Sequence, residues 1–237
     1  VLKTTETNRE AADDMTMTLL KEWCDKHRPE MSHLFLLVQE YRKWGKIKST
    51  YIDGYMKYVN AVTERIHPEI FALSTDTGRM NCRKPNAQNM PRKTNDPVGV
   101  RSFIQAPKGQ LVLSLDFSQI ELRVGAFYCR DQSMLKTYRE NGDIHAATTA
   151  VIFGVSEKEA KDKHAADYKE RRTIAKNVNF GTFYGLFPRG LQKTLKFKAG
   201  IEKSLGECET IIANLKAGYR RLSAWQEETK ANAARCM

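Results

Sequence analysis

The sequence predicts a predominantly helical α+β fold, and three observations carry that prediction. Apolar residues recur at spacings of three and four in MTMTLLKEWCDKH, in HLFLLVQEYRKW and through most of the last hundred residues, the pattern of helices that bury one face. One short apolar run, residues 111–115, follows Pro107 and Gly109 and reads as a buried strand. Between about 61 and 90 the periodicity fails while Gly, Pro, Asn, Thr and Asp accumulate, a composition that favours turns over ladders.

A chain of 237 residues can bury a sizeable core as one large domain or two smaller ones. With 41% hydrophobic and 28% charged residues it has the composition of a globular protein, not a disordered one. No apolar run is long enough to span a bilayer, no signal-peptide pattern opens the chain, and no membrane partner is expected. The implied location is a cytoplasm, bacterial or that of a virus's host. The five cysteines are scattered, without zinc-ligand or redox spacing, and read as free thiols. A net charge of +11 draws anions; nucleic acid is the leading partner class, although charge alone does not decide it.

Taken in order, the first forty residues pass from polar to helical. Residues 41–58, YRKWGKIKSTYIDGYMKY, set Tyr41, Trp44, Ile47, Tyr51, Tyr55 and Tyr58 at helical spacings as a buried stripe. Arg42, Lys43, Lys46 and Lys48 are left for solvent or for phosphates. TDTGRMNCRKPNAQNMP reads as an ordered turn system in which Arg79, Asn86, Gln88 and Asn89 carry donors for groove edges or phosphates, or simply form turns. The strand over 111–115 delivers Asp116 at its tip, as a rigid oxygen ligand for a divalent cation or as a cap for the helix expected over 118–128. Asn141-Gly142 marks a turn, and Asp143 caps a helix from Ile144 that carries His145 in its first turn. VSEKEAKDKHAADYKERR is a charged helical approach to RRTIAKNVNFGTFYG. There Arg172, Lys176, Phe180 and Tyr184 stand four apart and form one helical column of two cations and two rings. Such a face can hold a polyphosphate at one end and stack a base or sugar at the other. Short packed helices follow.

Three of these stretches resemble one family, in one order. TGRMNCRKPNAQNMP is similar to the template-primer contact motif of family A DNA-directed DNA polymerases, the relatives of bacterial DNA polymerase I. LSLDFSQIELRVGA resembles their motif A and RRTIAKNVNFGTFYG their motif B. YRKWGKIKSTYID resembles the helix at the base of the thumb, and DIHAATTAVIFGV the first fingers helix. The resemblance implies a partial palm with helical fingers and the base of the thumb. It places thumb base and thumb-palm junction at 1–60, partial palm at 61–140 and fingers at 141–237.

It also implies an activity: templated addition of deoxynucleotides to a primer 3′ end by nucleotidyl transfer. Asp116 and the carbonyl of Phe117 resemble ligands of two Mg2+ ions, which stabilise the attacking and leaving oxygens. Glu121 resembles the residue that crowds the sugar 2′ position and rejects ribonucleotides, which speaks against a single-subunit RNA polymerase. Gln119 lies near the primer end or nucleotide. Arg172 and Lys176 resemble the cations on the triphosphate, Lys176 also as a general acid, with His145 assisting. Phe180 resembles the ring under the incoming nucleotide, where Phe implies discrimination against dideoxynucleotides, and Tyr184 the residue at the templating position. Arg79 resembles the minor-groove arginine, with Asn86 and Gln88 nearby, while Arg42 and Lys46 would bind backbone phosphates of primer-template DNA.

The family's second metal-binding carboxylate, in a His-Asp-Glu type motif between two strands, has no counterpart in this sequence. Asp13-Asp14 and Glu227-Glu228 are adjacent acidic pairs in polar helical sequence. The expectation is half an active site, in a truncated chain or a split polymerase completed by a second polypeptide. A scaffold that binds primer-template and nucleotide without catalysis is the alternative.

Overall fold

The computed structural model describes residues 12–91 and 96–235, and the chain divides into two compact units, Val1–Ser114 and Leu115–Met237. In the first unit Asp13 caps α1 (Asp14–His27), its carboxylate accepting from the Thr16 amide at 2.8 Å. Pro29 opens α2 (Pro29–Lys46), where a missing N–H costs nothing, and α1 packs along α2. The chain continues through a π-helical turn, Ile47–Ile52, into α3 (Asp53–Met56).

The stripe expected over 41–58 is shorter than predicted. Ile47, Tyr51 and Tyr55 are buried, but Tyr41 is 81% exposed and Trp44 and Tyr58 are exposed too. Periodicity shows which residues share a face, not how far a partner covers it. Here the partner is the turn system: Tyr51 donates to the Asn89 carbonyl at 2.7 Å and Tyr55 to the Asn86 carbonyl at 3.0 Å. Val100, Ile66 and Met90 complete this small cluster.

The turn system itself contains a ladder that its composition did not suggest. β1 (Glu69–Phe71) pairs antiparallel with β2 (Asn81–Arg83), Ile70 opposite Cys82, and Lys84 bridges to Glu69 at 3.1 Å. Three paired residues are too few to show alternation.

The buried strand expected at 111–115 is not formed. Residues 111–117 are irregular, with Leu111 97% and Leu115 85% exposed. A strand exists only through its ladder, and among the described residues β1 and β2 form the sheet. Asp116 is consequently solvated and not held at the tip of a rigid strand.

The second unit is helical: α4 (Ile120–Cys129), α5 (Gln132–Arg139), α6 (Ile144–Phe153), α7 (Glu157–Lys161), α8 (Tyr168–Thr182), α9 (Pro188–Thr194), α10 (Leu205–Gly218) and α11 (Arg220–Arg235). Its core joins Leu122, Met134, Ile144, Ile174, Val178, Leu191 and Leu215, among others. α6 lies at the centre, against α8 and α10, and every residue from Ile144 to Thr149 is buried. The charged approach to α8 is not one helix. Asp162 leaves helical geometry and accepts from the His164 amide at 2.9 Å, a local turn that competes with the helix. The buried carboxylate of Asp131 caps α5 through the Ser133 and Met134 amides and also takes the Arg221 and Leu222 amides at 3.2 and 3.4 Å. One side chain thus starts two helices.

Cys24, Cys82, Cys129 and Cys208 are buried free thiols; Cys236 lies outside the described residues. The acidic pairs have local roles. Asp13 is a cap, Glu227 pairs with Lys230, and Glu228 with Arg221. Among the described residues no helix is long and apolar enough to cross a membrane.

Candidate functional site

The cationic part of the site forms where the start of α6 meets α8. Asp143 caps α6, accepting from the His145 and Ala146 amides at 2.9 and 3.3 Å. Its other oxygen lies 2.7 Å from Nη1 of Arg172. Arg171 faces elsewhere, to Asp167 one turn back, so the two neighbouring arginines have different partners. Burial works against the Asp143 charge, but Arg172 and the two amides outweigh it and hold the carboxyl below its usual value. Arg172 is one-third exposed, and Lys176, the next residue along the column, is exposed.

His145 is buried at 7% exposure. Its Nδ1 meets Nδ2 of Asn179 at 3.0 Å, and its ring centroid is 6.3 Å from that of Phe180. Burial chiefly lowers its pKa; Asp143 opposes, and Arg172 and Lys176 add to the lowering. The unfolded chain therefore takes up a proton near pH 6.5, the folded chain only below that. The associated stability is full above pH 6.5 and is lost as pH falls through the folded value. Melting temperature is expected to drop between pH 7 and pH 5, and His145→Gln to flatten that slope; equal slopes in thermal melts would contradict this.

The column ends sooner than the four-residue spacing predicts. α8 stops at Thr182, and Tyr184 lies in a turn closed by Gly185 at φ +73°. The turn nevertheless swings the Tyr184 hydroxyl to Oε2 of Glu121 at 3.2 Å. Glu121, Phe180, Phe183 and Tyr184, with Ile120, Leu122, Val124 and Gly125, line a mostly apolar cavity of 330 Å³. The exposed Phe180 ring, at 40% exposure, stands between this cavity and the cationic cluster. Gly125 is required here, because a Cβ would lie 2.4 Å from the Phe183 ring.

The motif A residues are placed differently. Asp116 and Phe117 are exposed on the irregular segment, and Gln119, at φ 55°, precedes α4 without capping it. Mg2+ favours near-octahedral oxygen coordination. One carboxylate and one carbonyl have the right chemistry but too few ligands, and no group of three or more His, Cys, Asp or Glu is poised for a metal among the described residues.

A sequence model described as DNA polymerase family A matches residues 2–236. The chain belongs to that family. It is 35% identical over 198 residues to DNA polymerase I of Pseudomonas aeruginosa, covering 84% of this chain and 20% of that protein. It is 37% identical over 195 residues to the thermostable DNA polymerase I of Thermus filiformis, covering 81% and 22%. The chain thus spans about a fifth of the length of these curated relatives. Its fold is similar to the POL domain of Pol1 from M. smegmatis, solved in complex with DNA primer-template and dNTP, with a TM-score of 0.74 and 23% identity over 99% of this chain and 38% of that one.

In the first unit, the expected DNA contacts lie apart from the cationic cluster in sequence. Arg42 donates to the Ala12 carbonyl, and Lys46 is exposed at the end of α2. Arg79 is exposed, its carbonyl accepting from Thr75 at 2.7 Å. The Asn86 side chain is engaged in accepting from the Gln88 amide at 3.1 Å, while the Gln88 side chain is exposed. Sequence reasoning missed Asn179, Thr148 and Tyr219 around His145, and the pairing of Asp143 with Arg172. The alternation of apolar and polar residues on one helix holds no signal for a partner on another.

Proposed function

We propose that this chain grips the triphosphate of an incoming deoxynucleotide and serves templated DNA synthesis at a primer 3′ end. One observation carries the reading: Arg172, Lys176 and the buried His145 gather at the start of α6 and along α8, beside an exposed Phe180 ring. Cations and an imidazole suit a polyphosphate, and the ring and the adjoining cavity suit the flat base and sugar. Glu121, tied to Tyr184, occupies one wall of that cavity and would crowd a 2′-hydroxyl. Lys176, exposed one turn along α8 from Arg172, would also serve as general acid toward pyrophosphate, and Gln119 would reach the primer end or the nucleotide.

The functional division we assign is thumb base at 1–60, partial palm at 61–140 and fingers at 141–237. Arg42, Lys46, Arg79, Asn86 and Gln88 would contact primer-template DNA, the first two through backbone phosphates in a salt-dependent way. Asp116 and the Phe117 carbonyl would supply part of a two-Mg2+ site, with a further carboxylate from another segment or a second polypeptide. The solvated position of Asp116 and the unpaired backbone of 111–117 support that dependence, since unpaired backbone invites an added strand.

The test is primer extension with Mg2+ and deoxynucleotides, by this chain alone and mixed with the C-terminal palm segment of a relative. Extension is expected from the mixture and to be lost in Asp116→Ala. A mixture that still extends with Asp116→Ala would refute the ligand assignment. A chain that binds primer-template but never extends it would favour the scaffold.

A further inference from the structure

Around His145 the hydrogen bonds form a line. The Tyr219 hydroxyl and Thr148 Oγ1 are 2.9 Å apart, Thr148 Oγ1 is 2.9 Å from Asn179 Oδ1, and Asn179 Nδ2 is 3.0 Å from His145 Nδ1. Tyr219, Thr148 and Asn179 are each no more than 3% exposed, and a buried hydrogen without an acceptor is costly. That cost sets the direction. If Tyr219 donates to Thr148, Thr148 can donate to Asn179 Oδ1, and the Asn179 amide donates to Nδ1; each of these hydrogens then has an acceptor. With the amide turned over, Thr148 would receive the Asn179 N–H and send its own hydrogen to Tyr219. The tyrosine hydrogen would then lose Thr148, its partner in this interior.

We infer that Tyr219, Thr148 and Asn179 are positioning residues, a one-way relay that holds His145 as the Nε2–H tautomer. Nδ1 is committed as an acceptor, so the remaining nitrogen always donates. A neutral imidazole fixed in this way offers an anion a hydrogen bond without needing to be charged. The lowered basicity of the buried ring is consistent with this. That the donor serves a triphosphate rests on the function proposed above; the tautomer does not.

Nitrogen-15 NMR of histidine-labelled chain at pH 8 reads the tautomer directly, and a dATP titration reads its consequence. The wild-type chain and Thr148→Ser, which keeps the hydroxyl, are expected to show Nε2–H. Asn179→Asp offers only acceptors, so Nδ1 should become protonated and dATP binding weaken about tenfold, the effect of losing one charge-assisted hydrogen bond. Tyr219→Phe removes the donor that sets the direction and should populate both tautomers; it covers the case in which Asn179→Asp does not fold. A wild-type ring protonated on Nδ1, or an unchanged pure Nε2–H tautomer in Tyr219→Phe, would overturn the relay. Expected tautomers throughout, with dATP affinity unmoved by His145→Ala, would leave the relay standing and remove the phosphate role of the ring.

Discussion

Arg172→Ala is expected to weaken deoxynucleoside triphosphate binding to the chain by roughly ten- to a hundredfold, the range for losing a charge-assisted contact. The structure makes this more than the loss of one cation. Arg172 pairs with Asp143 at 2.7 Å, and with the guanidinium gone that carboxylate remains at the start of α6, where it would repel a bound triphosphate. Asp143→Asn in the same chain removes the stranded charge but keeps an oxygen for the α6 amides. The double variant should therefore recover part of the lost affinity, a coupling that a double-mutant cycle measures. Strictly additive effects in equilibrium titrations would show that Asp143 and Arg172 act independently on the ligand.

The largest stability effect is expected from Gly218→Ala. At an ordinary helical position this substitution gains about 1 kcal/mol. Here the sign reverses, because a Cβ on Gly218 would lie 2.2 Å from Cγ1 of Val151, across the packed contact of α10 with α6. Overpacking of this kind costs about 1–3 kcal/mol, and α6 has little room to yield since its first six residues are all buried. Denaturant midpoints should fall for Gly218→Ala and return most of the way when Val151→Ala is added. A single variant as stable as the parent would mean that α10 does not approach α6 this closely.

Both effects converge on α6, whose N-terminus carries Asp143 and His145 and whose far end meets Gly218. The same helix shows how unevenly the molecule could be read beforehand. The turn at Asn141-Gly142 and the cap at Asp143 are local, and they stand where the sequence put them. The Arg172 register on α8 was also legible, because a four-residue spacing is a property of one helix. Tyr184 broke that extrapolation: α8 ends at Thr182, and no spacing rule announces where a helix stops. Its contact with Glu121, 63 residues earlier, was beyond any local pattern.

The run at 111–115 failed for a related reason. Its composition is that of a strand, but a strand depends on a neighbour, and the residues stand solvated. Asp131 shows the opposite case: a residue that nothing local singles out caps α5 and also holds the Arg221 and Leu222 amides some ninety residues away.

By itself the sequence determined the helical class, the order of the motifs, and the shared face of Arg172, Lys176 and Phe180 on α8, since periodicity, caps and residue chemistry are written locally. Only the tertiary structure decided that Arg172 is held by Asp143, that His145 ends a hydrogen-bond line from Tyr219, and that Asp116 stands in solvent. Those outcomes depend on which distant groups meet, and hydrogen-bond direction and burial acquire values only once they do.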